Sequence, residues 1–283
     1  MTDIKSMTER QLADFFKNMG QPAFRAKQVF TWLHRGVRSF DEMTDLSKPL
    51  RAQLAETCFI TAPTVARKQT SKLDGTVKYL WELADGNCIE TVLMQYHHGN
   101  TVCISSQVGC RMGCAFCAST LDGLERSLWP SEMLDQIYAI TRLTGERISN
   151  VVVMGTGEPL DNYENLLRFI ELLTDENGLH ISQRNVTVST CGLVPRIYEL
   201  SEQKLQITLA LSLHAVTDEK RRKLMPIANR YSIEELMDAC SNYFEKTGRR
   251  ITFEYALVAG VNDTREDAQQ LSQLARRVVA HVN

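Results

Sequence analysis

The sequence predicts an α/β protein: a partial (β/α)6 barrel preceded by a small helical domain and a β-meander. Three observations carry this. Apolar residues recur at helical spacing through the first sixty residues, period-two alternation takes over across 63–96, and beyond Thr101 strand-like and helix-like segments alternate. The domains expected are 1–60, 61–98 and 99–283, a division that 283 residues can support.

In the first domain, Thr8 and Gln11 have capping-box spacing, and Leu12, Phe15, Phe16 and Met19 follow before Gly20 ends the helix. A second helix over 22–35 places Ala26, Val29, Phe30 and Leu33 on one face, and a third spans 48–58. The meander turns at Asp74-Gly75 and Asp85-Gly86. Barrel strands are expected over 101–105, 148–154, 185–189, 206–213 and 250–257. Helices are expected over 131–143, 163–174, 194–202, 232–246 and 263–277. Such alternation makes a parallel sheet whose chemistry gathers at the C-terminal ends of the strands. Residues 278–283 read as the start of a sixth strand, and a barrel that stops there leaves an apolar edge, so the sequence is expected to be a fragment of a longer protein.

Composition excludes several classes. An apolar fraction of 43% with 23% charged residues and no biased tract is that of a globular chain. The longest uncharged apolar run, 205–216, is too short to span a bilayer, and Asp3, Lys5, Glu9 and Arg10 interrupt any signal-peptide core. A cytoplasmic protein with no membrane partner is expected, with nothing pointing beyond a monomer. Net charge is −2, but residues 1–80 hold thirteen Lys/Arg against eight Asp/Glu, which is compatible with RNA docking at that end. A solvated basic face is the plainer reading of the same asymmetry.

Three of the eight cysteines lie within eight residues of one another, as Cys110-Arg-Met-Gly-Cys114-Ala-Phe-Cys117. A disulfide scaffold would be smaller and would spread its cysteines. Zinc needs a fourth ligand, and no cysteine or histidine follows at finger spacing. Three thiolates on one loop suit a 4Fe-4S cluster with one iron left open, and an open iron can chelate the amino and carboxylate groups of S-adenosyl-L-methionine (SAM). This is the radical SAM arrangement, with Phe116 shielding the cluster. Three buried structural thiols and a zinc site are the alternatives. Gly155-Thr-Gly157-Glu158-Pro159 after a strand is a weak dinucleotide signal, since the third glycine is missing, but it suits the methionine moiety of SAM.

Cys103-Ile-Ser-Ser-Gln-Val-Gly-Cys110, Met154-Gly-Thr-Gly-Glu-Pro159, Ser189-Thr-Cys-Gly192 and Ser212-Leu-His214 together resemble the RlmN family of dual-specificity RNA methyltransferases. The resemblance covers essentially the whole chain. It implies methylation of C2 of an adenine in 23S rRNA and in certain tRNAs, with residues 1–60 contacting RNA and residues 99–283 forming a radical SAM core. It also implies a reducing electron donor such as flavodoxin or ferredoxin. One SAM methylates a C-terminal cysteine and a second yields a radical that abstracts hydrogen from that methyl. The carbon radical adds to C2, and a second cysteine then releases the product by forming a disulfide. By position, Cys103 matches the releasing cysteine and Glu90 the proton acceptor, although Cys103 competes for that second role. Gly157, Glu158, Ser189, Ser212, Leu213 and His214 match SAM-contacting positions, and Cys110, Cys114 and Cys117 match the cluster ligands. Without the resemblance, Cys103 reads as a buried strand cysteine, Glu90 as a surface charge and His214 as a structural histidine. Pro159 and Cys191 look more like the C2 branch than the sister branch that methylates C8. Cys58, Cys88, Cys191 and Cys240 are expected to be structural. No cysteine follows Cys240, so the methyl carrier lies outside these residues and the chain alone is expected to be inactive. A non-enzymatic RNA-binding relative of the same fold is the reading from another class.

Overall fold

The computed structural model describes residues 1–97 and 99–283; His98, the last residue of the expected meander, lies outside the described residues. In chain order the N-terminal elements are β1 (Thr2–Asp3), α1 (Glu9–Asn18), α2 (Phe24–His34), α3 (Lys48–Thr57) and β2 (Cys58–Phe59). Strands β3 (Thr64–Thr70), β4 (Val77–Glu82), β5 (Cys88–Tyr96) and β6 (Gly99–Cys103) follow, then β7 (Gln107–Gly109) and β8 (Leu124–Ser127). The rest alternates: α4 (Pro130–Thr144), β9 (Ile148–Val153), α5 (Tyr163–Thr174), β10 (Val186–Thr190), α6 (Val194–Glu202) and β11 (Thr208–Ser212). It closes with α7 (Asp218–Leu224), α8 (Ile233–Thr247), β12 (Thr252–Glu254), α9 (Arg265–Arg277) and β13 (His281–Val282). Two compact units result. One holds Met1–Ile104, Leu128–Asn150 and Glu164–Ser182; the other holds Ser105–Ser127, Val151–Tyr163 and Gln183–Asn283.

In the first unit the expected capping box starts α1: the Gln11 N–H donates to Thr8 Oγ1 at 3.2 Å and the Thr8 N–H to Gln11 Oε1 at 3.0 Å. Leu12 and Phe16 are then buried on one side of α1, and Val29, Phe30 and Leu33 on α2. Strands β3 to β6 form the antiparallel meander. Alternation along β4 and β5 buries Tyr79, Trp81, Ile89, Thr91 and Leu93. Trp81 Nε1–H donates to Thr91 Oγ1 at 3.0 Å, whose hydroxyl donates to Gln136 on α4 at 2.7 Å, so the buried indole is satisfied.

Two buried polar contacts fasten the N-terminal helices to α4. Lys5 Nζ donates to the Thr61 carbonyl at 2.7 Å and to Asp135 at 2.5 Å. His34 Nδ1 shares a 2.6 Å hydrogen bond with the Tyr138 hydroxyl. Burial, reinforced by the charge of Lys5, pushes the His34 pKa down to about 3, so the folded chain holds this imidazole neutral.

In the second unit β9 to β13 run parallel, each paired with the next in sequence. That singly wound order is the wall of a barrel and not a doubly wound sheet. The expected fifth strand, 250–257, is shorter as β12, because past Tyr255 the backbone bonds elsewhere: the Ala256 N–H donates to His214 Nδ1 at 3.0 Å. The final residues do form a strand, with Phe253 opposite Val282. Helix α7 was not expected from the pattern, since Asp-Glu-Lys-Arg-Arg-Lys-Leu shows no apolar stripe. Its acidic first turn, basic last turn and Thr217 cap suit a helix nonetheless. Among the described residues no helix is long and apolar enough to cross a membrane.

The folded value for His34 lies below the ordinary 6.5, so as pH falls the unfolded chain takes up the proton first. The contribution is complete above about pH 6.5 and shrinks below it by up to about 1.4 kcal/mol per pH unit. Urea denaturation between pH 7 and 5 should show that much less pH dependence in His34→Gln than in the parent. An unchanged slope would refute a neutral buried imidazole.

Candidate functional site

The three expected cluster ligands sit on the loop between β7 and β8. Gly109 has φ +71°, and a Cβ there would fall 2.0 Å from the Gly123 carbonyl oxygen, the same oxygen that accepts the Cys110 N–H at 2.8 Å. Only glycine lets the hairpin close on Cys110 in this way. The Cys117 N–H donates to the Cys114 carbonyl at 3.1 Å, and the Ala115 N–H to the Leu224 carbonyl at the end of α7 at 2.8 Å. The ligand loop is therefore fixed by its own backbone and by a neighbouring helix.

Cys110, Cys114 and Cys117 line a cavity of about 200 Å³ together with Gly157, Glu158, Ser189, Ser212 and His214. These lie at or just past the C-terminal ends of β9, β10 and β11, as the barrel pattern requires. The Ser189 and Ser212 hydroxyls are 3.4 Å apart. Leu213 is the exception: its side chain is fully buried and does not line the cavity. Two larger clefts, about 660 and 590 Å³, lie in the first unit and hold no cysteine or histidine, so size alone does not locate the chemistry.

Glu158 does more than face the cavity. Its side-chain oxygens accept the Leu160 N–H at 3.0 Å and the Cys191 N–H at 2.7 Å, and its own N–H donates to Gln107 Oε1 at 2.9 Å. Burial raises its pKa, and these donors pull it back. Gln107 Nε2 in turn donates to Asp161 at 3.1 Å and Ser127 at 3.3 Å, and Asp161 pairs with Arg111 of the ligand loop. Gly157 has φ +107°, and a Cβ there would lie 2.6 Å from Gln107 Cβ. The Gly-Glu turn thus closes on a buried glutamine.

His214 is fixed at φ +53°: its N–H donates to the Glu254 carbonyl at 3.3 Å, and its carbonyl accepts from Asn262 at 2.7 Å. Because Nδ1 accepts the Ala256 N–H, the ring proton sits on Nε2. Burial and the charge of Arg221 push its pKa down to about 4, so it is a neutral donor at ordinary pH. Phe116 packs edge-on against this ring at 4.9 Å and is 48% exposed, covering the site from one side only.

Sequence reasoning missed Gln107, Arg221 and the place of Cys191. Arg221 is fully buried, a rare state for arginine. Cys191, expected to be structural, is buried yet lines the cavity. Cys58 and Cys240 are buried as expected, whereas Cys88 is exposed. All eight cysteines are free thiols. Glu90 and Cys103 belong to the first unit. Glu90, on β5, pairs with Lys78 of β4 at 2.8 Å, and Cys103 ends β6, partly buried.

The donor set fits an iron–sulfur cluster. No three His, Cys, Asp or Glu side chains among the described residues converge as a single ion would require. A cubane takes each thiolate at a different iron, so three spread thiols suit it. Burial, then repulsion by Cys110 and Cys117, raises the Cys114 pKa to about 11, and burial also raises that of Cys110. Such thiols give up their protons when a metal takes the proton's place.

A three-thiolate loop at the mouth of a barrel, with a Gly-Glu turn and a neutral histidine across the cavity, defines a radical SAM enzyme that uses a 4Fe-4S cluster and SAM. Two family models match: Radical SAM superfamily over residues 104–272, and Ribosomal RNA large subunit methyltransferase N-terminal domain over residues 2–60. A "Probable dual-specificity RNA methyltransferase RlmN" of Lachnospira eligens is 61% identical over 284 residues, covering 100% of this chain and 81% of the relative. One of the same description from Lachnoclostridium phytofermentans is 57% identical, covering 99% and 79%. The crystal structure of a radical SAM methyltransferase from Sphaerobacter thermophilus superposes with a TM-score of 0.94 at 43% identity, over 100% of this chain and 84% of that one. The chain belongs to the RlmN family of radical SAM RNA methyltransferases.

Glu158→Gln replaces one of two accepting oxygens by a donor and leaves a buried N–H facing it. Loss of about 1–3 kcal/mol in the metal-free protein is expected, with weaker SAM binding after reconstitution. Thermal melting and equilibrium dialysis check both, and an unchanged melting midpoint would refute the clamp.

Proposed function

We propose that the enzyme adds a methyl group to C2 of an adenine in 23S rRNA and in tRNAs, through a methylated cysteine. The observation that carries this reading is one cavity gathering Cys110, Cys114 and Cys117 with Gly157, Glu158, Ser189, Ser212 and His214, in a chain 61% identical to an RlmN-named relative. Adenine C2 has a hydrogen and no lone pair, so it offers no nucleophile for direct methyl displacement. The cluster and SAM supply the radical chemistry that such a carbon needs. Residues 1–60 serve as the RNA-docking module, and Arg38, Lys48 and Arg51, which line one cleft there, suit contact with phosphates. Ser189, Ser212 and the Nε2–H of His214 orient SAM. Glu90 accepts the C2 proton, with Lys78 fixing its carboxylate, and Cys103 takes the releasing role as a thiolate. The 283 residues carry no cysteine after Cys240, so the chain by itself is proposed to bind its cofactors without transferring methyl.

Two anaerobic reactions with a strong reductant, SAM and unmodified RNA test this, each read by nucleoside mass spectrometry. The chain alone should cleave SAM and leave adenosine unmodified; methyladenosine there would contradict the carrier assignment. A fusion bearing the C-terminal segment of the Lachnospira eligens relative should yield 2-methyladenosine. A yield of 8-methyladenosine would move the chain to the C8 branch, and binding of RNA without SAM cleavage would leave only the RNA-binding reading. In the fusion, Cys103→Ala should lower product by at least about a hundredfold.

A further inference from the structure

Arg221 of α7 is 0% exposed, with its guanidinium among backbone carbonyls. Nη2 donates to the Cys191 carbonyl at 2.6 Å and the Ser212 carbonyl at 3.3 Å, and Nε donates to the Leu213 carbonyl at 3.3 Å. Nη1 is buried with no partner among the described residues. Asp218, at the start of the same helix, acts on this charge without pairing with it and accepts the Ile233 N–H at 2.8 Å. A buried cation without a paired anion carries a desolvation penalty of several kcal/mol. Carbonyl dipoles offset part of it, and among the described residues no carboxylate stands within ion-pair distance of the guanidinium.

The end of this helix packs against the loop that carries Cys114. Cys114 and Cys191 share one buried apolar group with Leu224 and Met225, which end and follow α7. The Ala115 N–H, between two cluster ligands, donates to the Leu224 carbonyl at 2.8 Å. The Cys191 carbonyl that accepts from Nη2 belongs to a residue of that same group, so the guanidinium is bonded to a packing partner of Cys114. A cubane held by three thiolates is anionic, and more so after reduction.

We propose that Arg221 is a positioning residue whose fixed positive charge balances the thiolate-held cluster and raises its reduction potential. Attraction between this cation and the cluster grows when the cluster gains an electron, and low-dielectric surroundings keep it from being screened. The three carbonyl bonds hold the charge in place at the ends of β10 and β11. Net charge and nearby hydrogen-bond donors are the ordinary levers on such potentials. This rests on the cluster and not on which adenine carbon is methylated.

The test is an anaerobic redox titration followed by electron paramagnetic resonance on the reconstituted chain, comparing Arg221→Gln, which removes the charge, with Arg221→Lys, which keeps it. In Arg221→Gln the ratio of reduced to oxidised cluster at a fixed potential should fall about tenfold, which is about 59 mV for a one-electron couple. Arg221→Lys should stay within about threefold of the parent in that ratio, even though both variants melt earlier for want of the guanidinium fork. Equal potentials in the parent and Arg221→Gln, or equal shifts in both variants, would overturn the proposal and leave Arg221 a structural tie. If neither variant assembles a cluster, parent protein labelled with 15N in its arginine guanidinium groups decides. Pulsed resonance of the reduced cluster should then show a 15N coupling that survives Arg111→Lys, and its absence overturns the proposal. A parent that assembles no cluster fails the cofactor assignment itself, a result distinct from any of these.

Discussion

A buried side-chain carboxyl group bonded to backbone N–H groups holds the loops of this site together. Glu158 is 3% exposed, and it is stabilised by backbone N–H groups from Leu160 and Cys191. Gln107 accepts the Glu158 N–H and reaches Asp161, which pairs with Arg111 beside Cys110. Three stretches distant in sequence are thereby coupled: the ligand loop, the Gly-Glu turn and the end of β10. Removing Glu158 or Gln107 leaves buried N–H groups unsatisfied, which is why such networks behave as a unit. Gly157 is part of the same constraint, since any side chain there would strike Gln107.

Two buried ionisable side chains, one acidic and one basic, are held by backbone groups at Cys191. Glu158 sits buried among N–H donors, whereas Arg221 presents a buried cation among carbonyls. His214 answers to the second, since its loss of basicity follows from burial and from Arg221. The site therefore offers a neutral Nε2–H donor beside the Cys110 and Cys114 thiols, whose pKa values burial raises. That combination suits a zwitterionic ligand and an anionic cluster better than it suits a free divalent ion.

Much of this was legible in the sequence, for identifiable reasons. Thr8 and Gln11 gave their capping box away by spacing, and the alternation in β4 and β5 announced its buried face through Tyr79, Trp81 and Ile89. That Cys110, Cys114 and Cys117 share one loop was legible because they fall within eight residues, and the structure sets all three on one cavity. Helix α7 was not, because Asp218–Leu224 is nearly all charged and its one buried charge, Arg221, looks like its exposed neighbours. Gln107 was hidden for a similar reason: a glutamine in a short strand advertises no partner until Gly157 and Glu158 are folded against it. The double service of Glu158, lining a cavity and clamping two N–H groups, depends on residues 33 apart meeting, which no local pattern encodes.

The measurement that bears most directly on this account is iron stoichiometry with resonance spectroscopy after anaerobic reconstitution. The account predicts roughly four irons per chain and a reduced cluster signal that changes when SAM is added, as an iron with an open coordination position requires. A single bound zinc with no reducible cluster, or a cluster whose signal is indifferent to SAM, would contradict it.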